Sequence, residues 1–165
     1  MVLVEITLRP YRPQDFDTLW SIDQTCFPAG IAYSRRELTG FMRLSGTFTL
    51  VAEMAASHSA EANQIAGFII ARCRRNAAGH VITIDVSSAA RRSGVGSKLL
   101  TAAENRLHTA GCERVYLETA VDNVPALAFY KRHQYFVTKT VPGYYCNGVD
   151  AFVLEKDLLS QVQAS

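Results

Sequence analysis

The sequence lacks the features that mark membrane, metal-binding and disordered chains. Its longest apolar run, Ile65–Ala71, is far shorter than the about 20 residues of a membrane-spanning helix. The four cysteines are widely spaced with no CxxC pair, so neither a zinc site nor a disulfide framework is expected. Ten glycines and five prolines are too few for a collagen or a low-complexity linker. No basic segment precedes an apolar one at the N-terminus, so we expect a cytoplasmic protein with reduced thiols.

The charge is almost balanced, with 17 basic and 15 acidic residues and a net charge of +2. This balance does not support a face that binds nucleic acid, and neither nucleic acid nor a membrane is an expected partner. Hydrophobic residues make up 48% of the 165 residues. A chain of this length and composition predicts a single domain over 1–165 with a core large enough to fold without metal or disulfide.

Hydrophobic periodicity predicts seven strands and four helices in the order β-α-α-β-β-β-α-β-α-β-β. The predicted strands are Val2–Leu8, Thr47–Met54, Gln64–Arg74, His80–Val86, Val115–Ala120, Tyr135–Val141 and Ala151–Lys156. The predicted helices are Gln14–Cys26, Arg35–Leu44, Val95–Ala110 and a last one from the cap Asn123 to His133. A polar loop is expected over Ala55–Asn63. This order predicts a mixed α/β sheet covered by helices.

The segment Val81–Leu100 joins a strand to a helix through a basic turn. The turn carries two glycines and three basic side chains: Gly94, Gly96, Arg91, Arg92 and Lys98. A helix N-terminus offers unpaired N–H groups and the positive end of the helix dipole, so the turn is suited to a phosphate. It is not a dinucleotide fingerprint, because Leu99 replaces the third glycine, and it is not a P-loop, because Ser97 replaces the lysine. A tight turn with solvated arginines remains the alternative.

The hexapeptide Arg91–Gly96 resembles the pyrophosphate loop of the GNAT acetyltransferase superfamily, [R/Q]-x-x-G-x-[G/A]. The later segment resembles the second half of the same family pattern: Leu117-Glu118-Thr119, Asn123, Ala126 and Phe129-Tyr130. Cys26-Phe27-Pro28 with Tyr33-Ser34 is similar to the substrate loop of RimI-type ribosomal-protein alanine N-acetyltransferases, within the protein N-terminal acetyltransferase branch. Tyr144-Tyr145 followed by Gly148-Val149-Asp150-Ala151 is similar to their hairpin.

Several positions depart from the family pattern. Gln134 stands where the family usually has glycine, and two aromatic residues follow it instead of one. Ser88 replaces a frequent proline, and Tyr33 replaces a frequent tryptophan. We expect the fold to tolerate the changes at Gln134, whereas Tyr33 leaves the preferred peptide open.

The resemblance implies the GNAT fold, an α/β (α+β) architecture. Its sheet is a mixed, mostly antiparallel seven-stranded sheet with helices on both faces and a splayed pair of central strands. It also implies acetyl transfer from acetyl-CoA to an amine by direct attack on the thioester, with no acyl-enzyme and no metal. The implied cofactor-binding residues are Ile84, Asp85, Val86, Arg91, Arg92, Ser93, Gly94, Val95, Gly96, Ser97, Asn123 and Tyr130. Asn123 has an alternative role as a plain helix cap.

Glu118 and Tyr130 are the implied catalytic residues. Strand alternation puts Glu118 on the face opposite Leu117, where its carboxylate can accept the amine proton. The Tyr130 phenol is implied to meet the departing thiolate. Because a phenol pKa of about 10 exceeds a thiol pKa of about 8.5, proton transfer from the phenol to the thiolate is unfavourable, and a hydrogen bond is enough to stabilise the thiolate. The implied substrate-binding residues are Phe27, Tyr33, Tyr144 and Tyr145, and the four histidines, His58, His80, His108 and His133, are expected to be solvated.

The leading hypothesis is an acetyltransferase for the N-terminal α-amine of a protein, with a ribosomal protein as the first candidate. The chain is expected to act as a monomer or weak dimer. Two alternatives stay open: an acetyltransferase for a small amine, such as an antibiotic, a polyamine or an amino acid, and a non-catalytic acyl-CoA-binding module.

Overall fold

The computed structural model describes residues 4–55 and 62–159. Its strands are β1 (Ile6–Pro10), β2 (Thr47–Met54), β3 (Gln64–Cys73), β4 (Ala78–Val86), β5 (Arg114–Ala120), β6 (Phe136–Val141) and β7 (Ala151–Asp157). Its helices are α1 (Phe16–Cys26), α2 (Arg35–Met42), α3 (Val95–Thr109) and α4 (Val124–Arg132). Short 3-10 turns lie at Pro13–Asp15 and Ser88–Ala90. The predicted order of elements and the α/β class are confirmed.

The seven strands form one sheet in the order β1-β2-β3-β4-β5-β7-β6. Every neighbouring pair is antiparallel except β4 and β5, which run parallel. That parallel ladder holds only from Ala78 opposite Arg114 to His80 opposite Tyr116. Beyond His80 the two strands separate, which confirms the splayed central pair and opens a cleft in the middle of the sheet.

Helices cover both faces of the sheet because β3 presents alternate residues to the two sides. Phe68 and Ile70 pack into a cluster with residues of α1 and α2. Ile69 and Ala71 pack into a larger cluster with residues of α3 and α4. Full burial of such side chains is worth about 1.5–3 kcal/mol each, so the two clusters hold the helices onto the sheet.

Local signals fix the ends of the helices. Ser34 Oγ accepts a hydrogen bond from Glu37 N at 3.2 Å, and Glu37 Oε2 accepts one from Ser34 N at 2.7 Å. This is the reciprocal capping that starts α2, as its sequence predicts. Gly111, with a φ of +98°, follows α3 and allows the turn into β5. None of the helices within 4–55 and 62–159 combines the length and apolarity needed to cross a bilayer.

Some predicted boundaries shift. β4 begins at Ala78, two residues earlier than predicted, because Ala78 and Gly79 join the short parallel ladder. Tyr135 precedes β6 instead of opening it, since its ring is buried and its hydroxyl donates to Glu104 Oε2 at 2.7 Å. The start of the predicted first strand and part of the predicted polar loop lie outside the described residues.

Candidate active site

The cleft between β4 and β5 opens beside a histidine–carboxylate pair. His80 Nε2 lies 2.7 Å from Glu118 Oε2, and the two side chains are 20% and 18% exposed. The His80 ring stacks on Tyr116 at a centroid distance of 4.4 Å and an angle of 7°. Arg74 Nη1 in turn donates to the Tyr116 hydroxyl at 2.7 Å. A half-buried carboxylate hydrogen-bonded to an imidazole, at the mouth of a cleft, is equipped to accept and pass on a proton.

Strand alternation predicts the orientation of Glu118 correctly. Val115 and Leu117 are buried in the core, whereas Tyr116 and Glu118 are only partly buried and interact with His80. The prediction of a solvated His80 is wrong. The parallel ladder places His80 opposite Tyr116, so its ring lies over β5 instead of pointing into solvent.

Tyr130 is a buried residue of α4, 7% exposed. Its ring meets those of Phe129 and Tyr135 at centroid distances of 5.2 Å and 5.6 Å. Burial raises the pKa of the phenol, and the nearby Asp85 and Tyr145 raise it further. Tyr130 therefore keeps its proton at neutral pH, and its hydroxyl is able to donate a hydrogen bond. A step that leaves a tyrosinate at this position would be opposed by its surroundings.

The predicted phosphate turn forms the start of α3. Gly94 is the N-cap, with a φ of +89°, and it provides no side-chain cap. The first N–H groups of α3, from Val95 to Ser97, therefore have no capping side chain, and they carry the positive end of the helix dipole. Arg91 and Arg92 are exposed beside them. Ser93 Oγ donates to Ala90 O, which shapes the turn itself.

Not every residue of the turn presents a side chain to a ligand. Val95 is 1% exposed and packs in the core, so only its backbone is available. Ser97 Oγ lies 2.9 Å from His133 Nε2 at the end of α4. The prediction of a solvated His133 is therefore wrong, and burial lowers its pKa, so the ring is neutral at neutral pH. A cradle with free N–H groups, a glycine cap and two exposed arginines fits a diphosphate.

The predicted pantetheine residues Ile84, Asp85 and Val86 lie on the free part of β4. Here β4 pairs with β3 only, so its other edge faces the cleft. Cys26 Sγ lies 3.3 Å from Val86 O. On the opposite wall, Asn123 Oδ1 accepts from Ala126 N at 3.3 Å, which shows the predicted capping of α4; its contact with the cofactor remains a prediction.

The predicted substrate residues come together in part. Tyr144 and Tyr145 make an edge-to-face contact at 4.9 Å in the loop before β7, which we call the tyrosine loop (142–150). Burial raises the pKa of both phenols, and the charge of Glu118 contributes to both shifts. Burial also raises the pKa of Tyr33, and Tyr144 adds to that shift. The three tyrosines are therefore close to one another, and Tyr144 and Tyr145 are also close to Glu118.

The loop between α1 and α2, which we call the acceptor loop (27–34), packs against the tyrosine loop. A Cβ on Gly30 would lie 2.9 Å from Asn147 Cβ, so the two loops are in direct contact. Phe27 begins the acceptor loop. Within the described part of the chain, its ring makes no aromatic contact with any of the three tyrosines. No cluster of three or more potential metal ligands occurs among the described residues.

Comparisons with known proteins agree with this geometry. The model of the Acetyltransferase (GNAT) family matches residues 16–135. An N-alpha-acetyltransferase from Saccharolobus solfataricus is 27% identical, over 93% of this chain and 94% of that relative. The crystal structure of Ard1 from Thermoplasma volcanium superposes with a TM-score of 0.80 at 25% identity, covering 92% of this chain and 97% of that one. A chain of the NatC complex bound to Gag peptide and CoA gives 0.76 at 25% identity, covering 93% and 98%.

These findings confirm the GNAT acetyltransferase family predicted from the motifs around Gly94 and Glu118. The family match covers the phosphate turn, the cleft and α4, and one of the similar structures contains CoA. The chain belongs to the GNAT family of acetyltransferases and is an acetyl-CoA-dependent N-acetyltransferase.

Proposed function

We propose that this chain transfers the acetyl group of acetyl-CoA to the N-terminal α-amine of a protein or peptide. The observation that carries the proposal is the His80–Glu118 pair at the mouth of the β4–β5 cleft, beside the tyrosine loop. Its relatives include N-alpha-acetyltransferases, which supports the same acceptor class. The proposed compartment is the cytoplasm.

The cofactor end of the site is built from main-chain groups. The first N–H groups of α3, with Arg91 and Arg92, bind the diphosphate, and the free edge of β4 hydrogen-bonds the pantetheine amides. Asn123 adds a side-chain contact from the opposite wall. When bound, acetyl-CoA supplies a thioester carbon that an amine can attack directly.

Glu118 accepts the proton of the attacking amine, and His80 orients its carboxylate through their 2.7 Å contact. At pH 7, neutralising an α-ammonium with a pKa of about 7.7–8.0 costs about 1–1.4 kcal/mol, whereas neutralising a lysine at about 10.4 costs about 4.6 kcal/mol. One carboxylate is adequate for the first task, so this site is better suited to an α-amine.

Tyr130 stabilises the departing thiolate by donating a hydrogen bond. Its raised pKa keeps the proton on the phenol, so the thiolate is stabilised in place and takes its proton from solvent. Tyr33, Tyr144 and Tyr145 pack the first residue of the acceptor and bond its backbone. Ribosomal-protein N-termini are the first acceptors to examine, because the acceptor loop and the tyrosine loop carry the RimI-like motifs.

A peptide panel with acetyl-CoA tests the proposal. Each peptide, including ribosomal N-terminal sequences with different first residues, is paired with the same peptide blocked at its N-terminus and carrying an internal lysine. Mass spectrometry locates the acetyl group, and release of the CoA thiol measures turnover. We expect acetylation of free α-amines and none of the blocked partners. Acetylation confined to polyamines, amino acids or antibiotics would overturn the proposal, and so would binding of acetyl-CoA without turnover.

A further inference from the structure

Two buried aspartates lie beneath the acceptor side of the cleft, and their side chains have no role in the proposed reaction. Asp23 of α1 is 0% exposed and Asp85 of β4 is 1% exposed. Asp23 Oδ2 accepts from Tyr33 N at 2.7 Å, and Asp85 Oδ1 accepts from Thr83 Oγ1 at 2.8 Å. The other oxygens, Asp23 Oδ1 and Asp85 Oδ2, are buried with no donor among the described residues.

α1 and β4 pack together, with Cys26 Sγ 3.3 Å from Val86 O, and this packing brings the two carboxyls into direct interaction. Neither forms a salt bridge with a cation in the described part of the chain. Two ionised carboxylates in contact inside a protein repel each other, and each also loses its hydration. A single proton between them removes the repulsion and gives both orphan oxygens a partner, as in other carboxyl pairs that hold one proton between two groups.

We propose that Asp23 and Asp85 share one proton, in a carboxylic acid–carboxylate hydrogen bond that fixes the acceptor loop against β4. The proton resides on Asp85, and the Asp23 carboxylate accepts it. Burial and the neighbouring Asp23 both raise the pKa of Asp85, which supports this assignment. The positioning role rests on the proposed function, because that function assigns Tyr33 to the acceptor.

The pair acts on Tyr33 through its backbone. Asp23 Oδ2 holds Tyr33 N, while Gln24 Nε2 and Trp20 Nε1 hold Tyr33 O at 2.7 Å and 3.1 Å. The Tyr33 hydroxyl lies 3.5 Å from Ile82 O on β4. The backbone of Tyr33 is thus held at both its N–H and its carbonyl, and Asp85 ties that arrangement to the strand proposed to bind pantetheine. The two aspartates are positioning residues that align the acceptor with the cofactor.

The titratable groups around the two aspartates do not change their protonation near neutral pH. The titratable groups that face it are Glu37 of α2, Cys26 of α1, Tyr33 of the acceptor loop, and Tyr130 of α4, with Arg91 next to Cys26. The pKa of Glu37 is lowered by its capping hydrogen bonds, and the pKa values of the cysteine and the tyrosines are raised by burial. Around neutral pH these groups keep their protonation states, so the shared proton is the one that responds.

The sign of the pH effect follows from the raised pKa. The folded chain holds a proton that the unfolded chain releases above the ordinary aspartate range. The stabilisation is therefore fully present below that range and is lost as the pH rises towards the folded pKa. Across this window each added pH unit raises the unfolding constant by up to about tenfold, because unfolding releases the shared proton. Asp85→Asn replaces the shared proton with an amide N–H, so the contribution of that proton to the pH dependence of unfolding should disappear.

Carbon-13 NMR of the aspartate carboxyls tests the shared proton without any substrate. In the wild-type chain at neutral pH we expect one carboxyl signal of the pair at the protonated position, and Asp85→Asn should remove it. Denaturant titrations should give an unfolding constant that rises with pH in the wild type and rises less steeply in Asp85→Asn. Two ionised carboxyls in the wild type, or identical pH profiles, would overturn the proposal.

Acceptor kinetics test the positioning role. Asp23→Ala removes the acceptor of Tyr33 N, so we expect the peptide KM to rise about tenfold, the effect of losing one charge-assisted hydrogen bond, with the acetyl-CoA Kd nearly unchanged. Asp23→Asn keeps an acceptor for Tyr33 N and should restore most of the peptide KM. Equal effects on peptide and acetyl-CoA would overturn the positioning role. Failure of every peptide as a substrate would instead overturn the proposed function and leave the NMR result standing.

Discussion

Replacing Glu118 with glutamine removes the proposed base while keeping the shape of the side chain and a hydrogen bond to His80. General base catalysis by a positioned side chain contributes about 10²- to 10⁴-fold in rate, and Glu118→Gln should lower kcat by that factor at pH 7. An α-amine with a pKa of about 7.7–8.0 is already about one-tenth to one-sixth neutral at that pH. Raising the pH should therefore raise the rate of the variant by at most about tenfold. The higher pH converts the remaining ammonium to neutral amine, but it does not replace the side chain that accepts the proton during attack.

The assay is CoA-thiol release with the best acceptor peptide from the panel, measured across pH in wild type and variant. Glu113→Gln is the matched control, since this exposed glutamate lies one residue before β5 and should leave the rate unchanged. Calorimetry should show that Glu118→Gln binds acetyl-CoA as the wild type does. A variant rate within about threefold of the wild type at pH 7 would refute a base role for Glu118.

Three further substitutions test other parts of the account. Tyr130→Phe should lower kcat about 10- to 150-fold, because it removes a hydrogen bond to the thiolate worth about 1.5–3 kcal/mol. In the wild type the pKa of Tyr130 is raised, so ionisation of this phenol should cause no loss of rate at pH values below the ordinary tyrosine range. Gln134→Gly should stabilise the chain by about 0.5–1 kcal/mol in denaturant titration, since Gln134 has a φ of +70°. Lys156→Met should destabilise it by about 3–5 kcal/mol, since it leaves the buried Glu104 without its cation. Adding Glu104→Gln should recover part of that loss. An unchanged unfolding midpoint in Lys156→Met would contradict the role of Lys156 as the cation that stabilises buried Glu104.

The sequence predicts most of the fold because its signals are local. The capping pair at Ser34, the glycine after α3 and the apolar spacing of α3 each depend on residues within a few positions of one another. Alternation in β5 predicts the face of Glu118 for the same reason. The family motifs around Gly94 and Tyr130 supply the rest of the site, since they mark where a helix N-terminus and a buried phenol are needed.

What the sequence does not reveal depends on long-range pairing. His80 reaches Glu118 only because β4 and β5 run parallel for three residue pairs before they separate, and this register has no local sequence signal. Asp23 and Asp85 meet across 62 positions of the chain because α1 packs against β4, which is also a long-range contact without a local signal. One signal could have identified Asp85: a carboxylate within the apolar strand VITIDV requires a buried partner.

Binding of acetyl-CoA at this site depends most directly on the start of α3, whose N–H groups are proposed to bind the diphosphate. Calorimetric titration of the folded chain with acetyl-CoA and, separately, with acetyl-pantetheine, which lacks the nucleotide and the diphosphate, tests it. We predict saturable binding of acetyl-CoA at least about tenfold tighter than that of acetyl-pantetheine, weakening as salt is added. No binding of acetyl-CoA, or equal affinity for both compounds, would contradict the account.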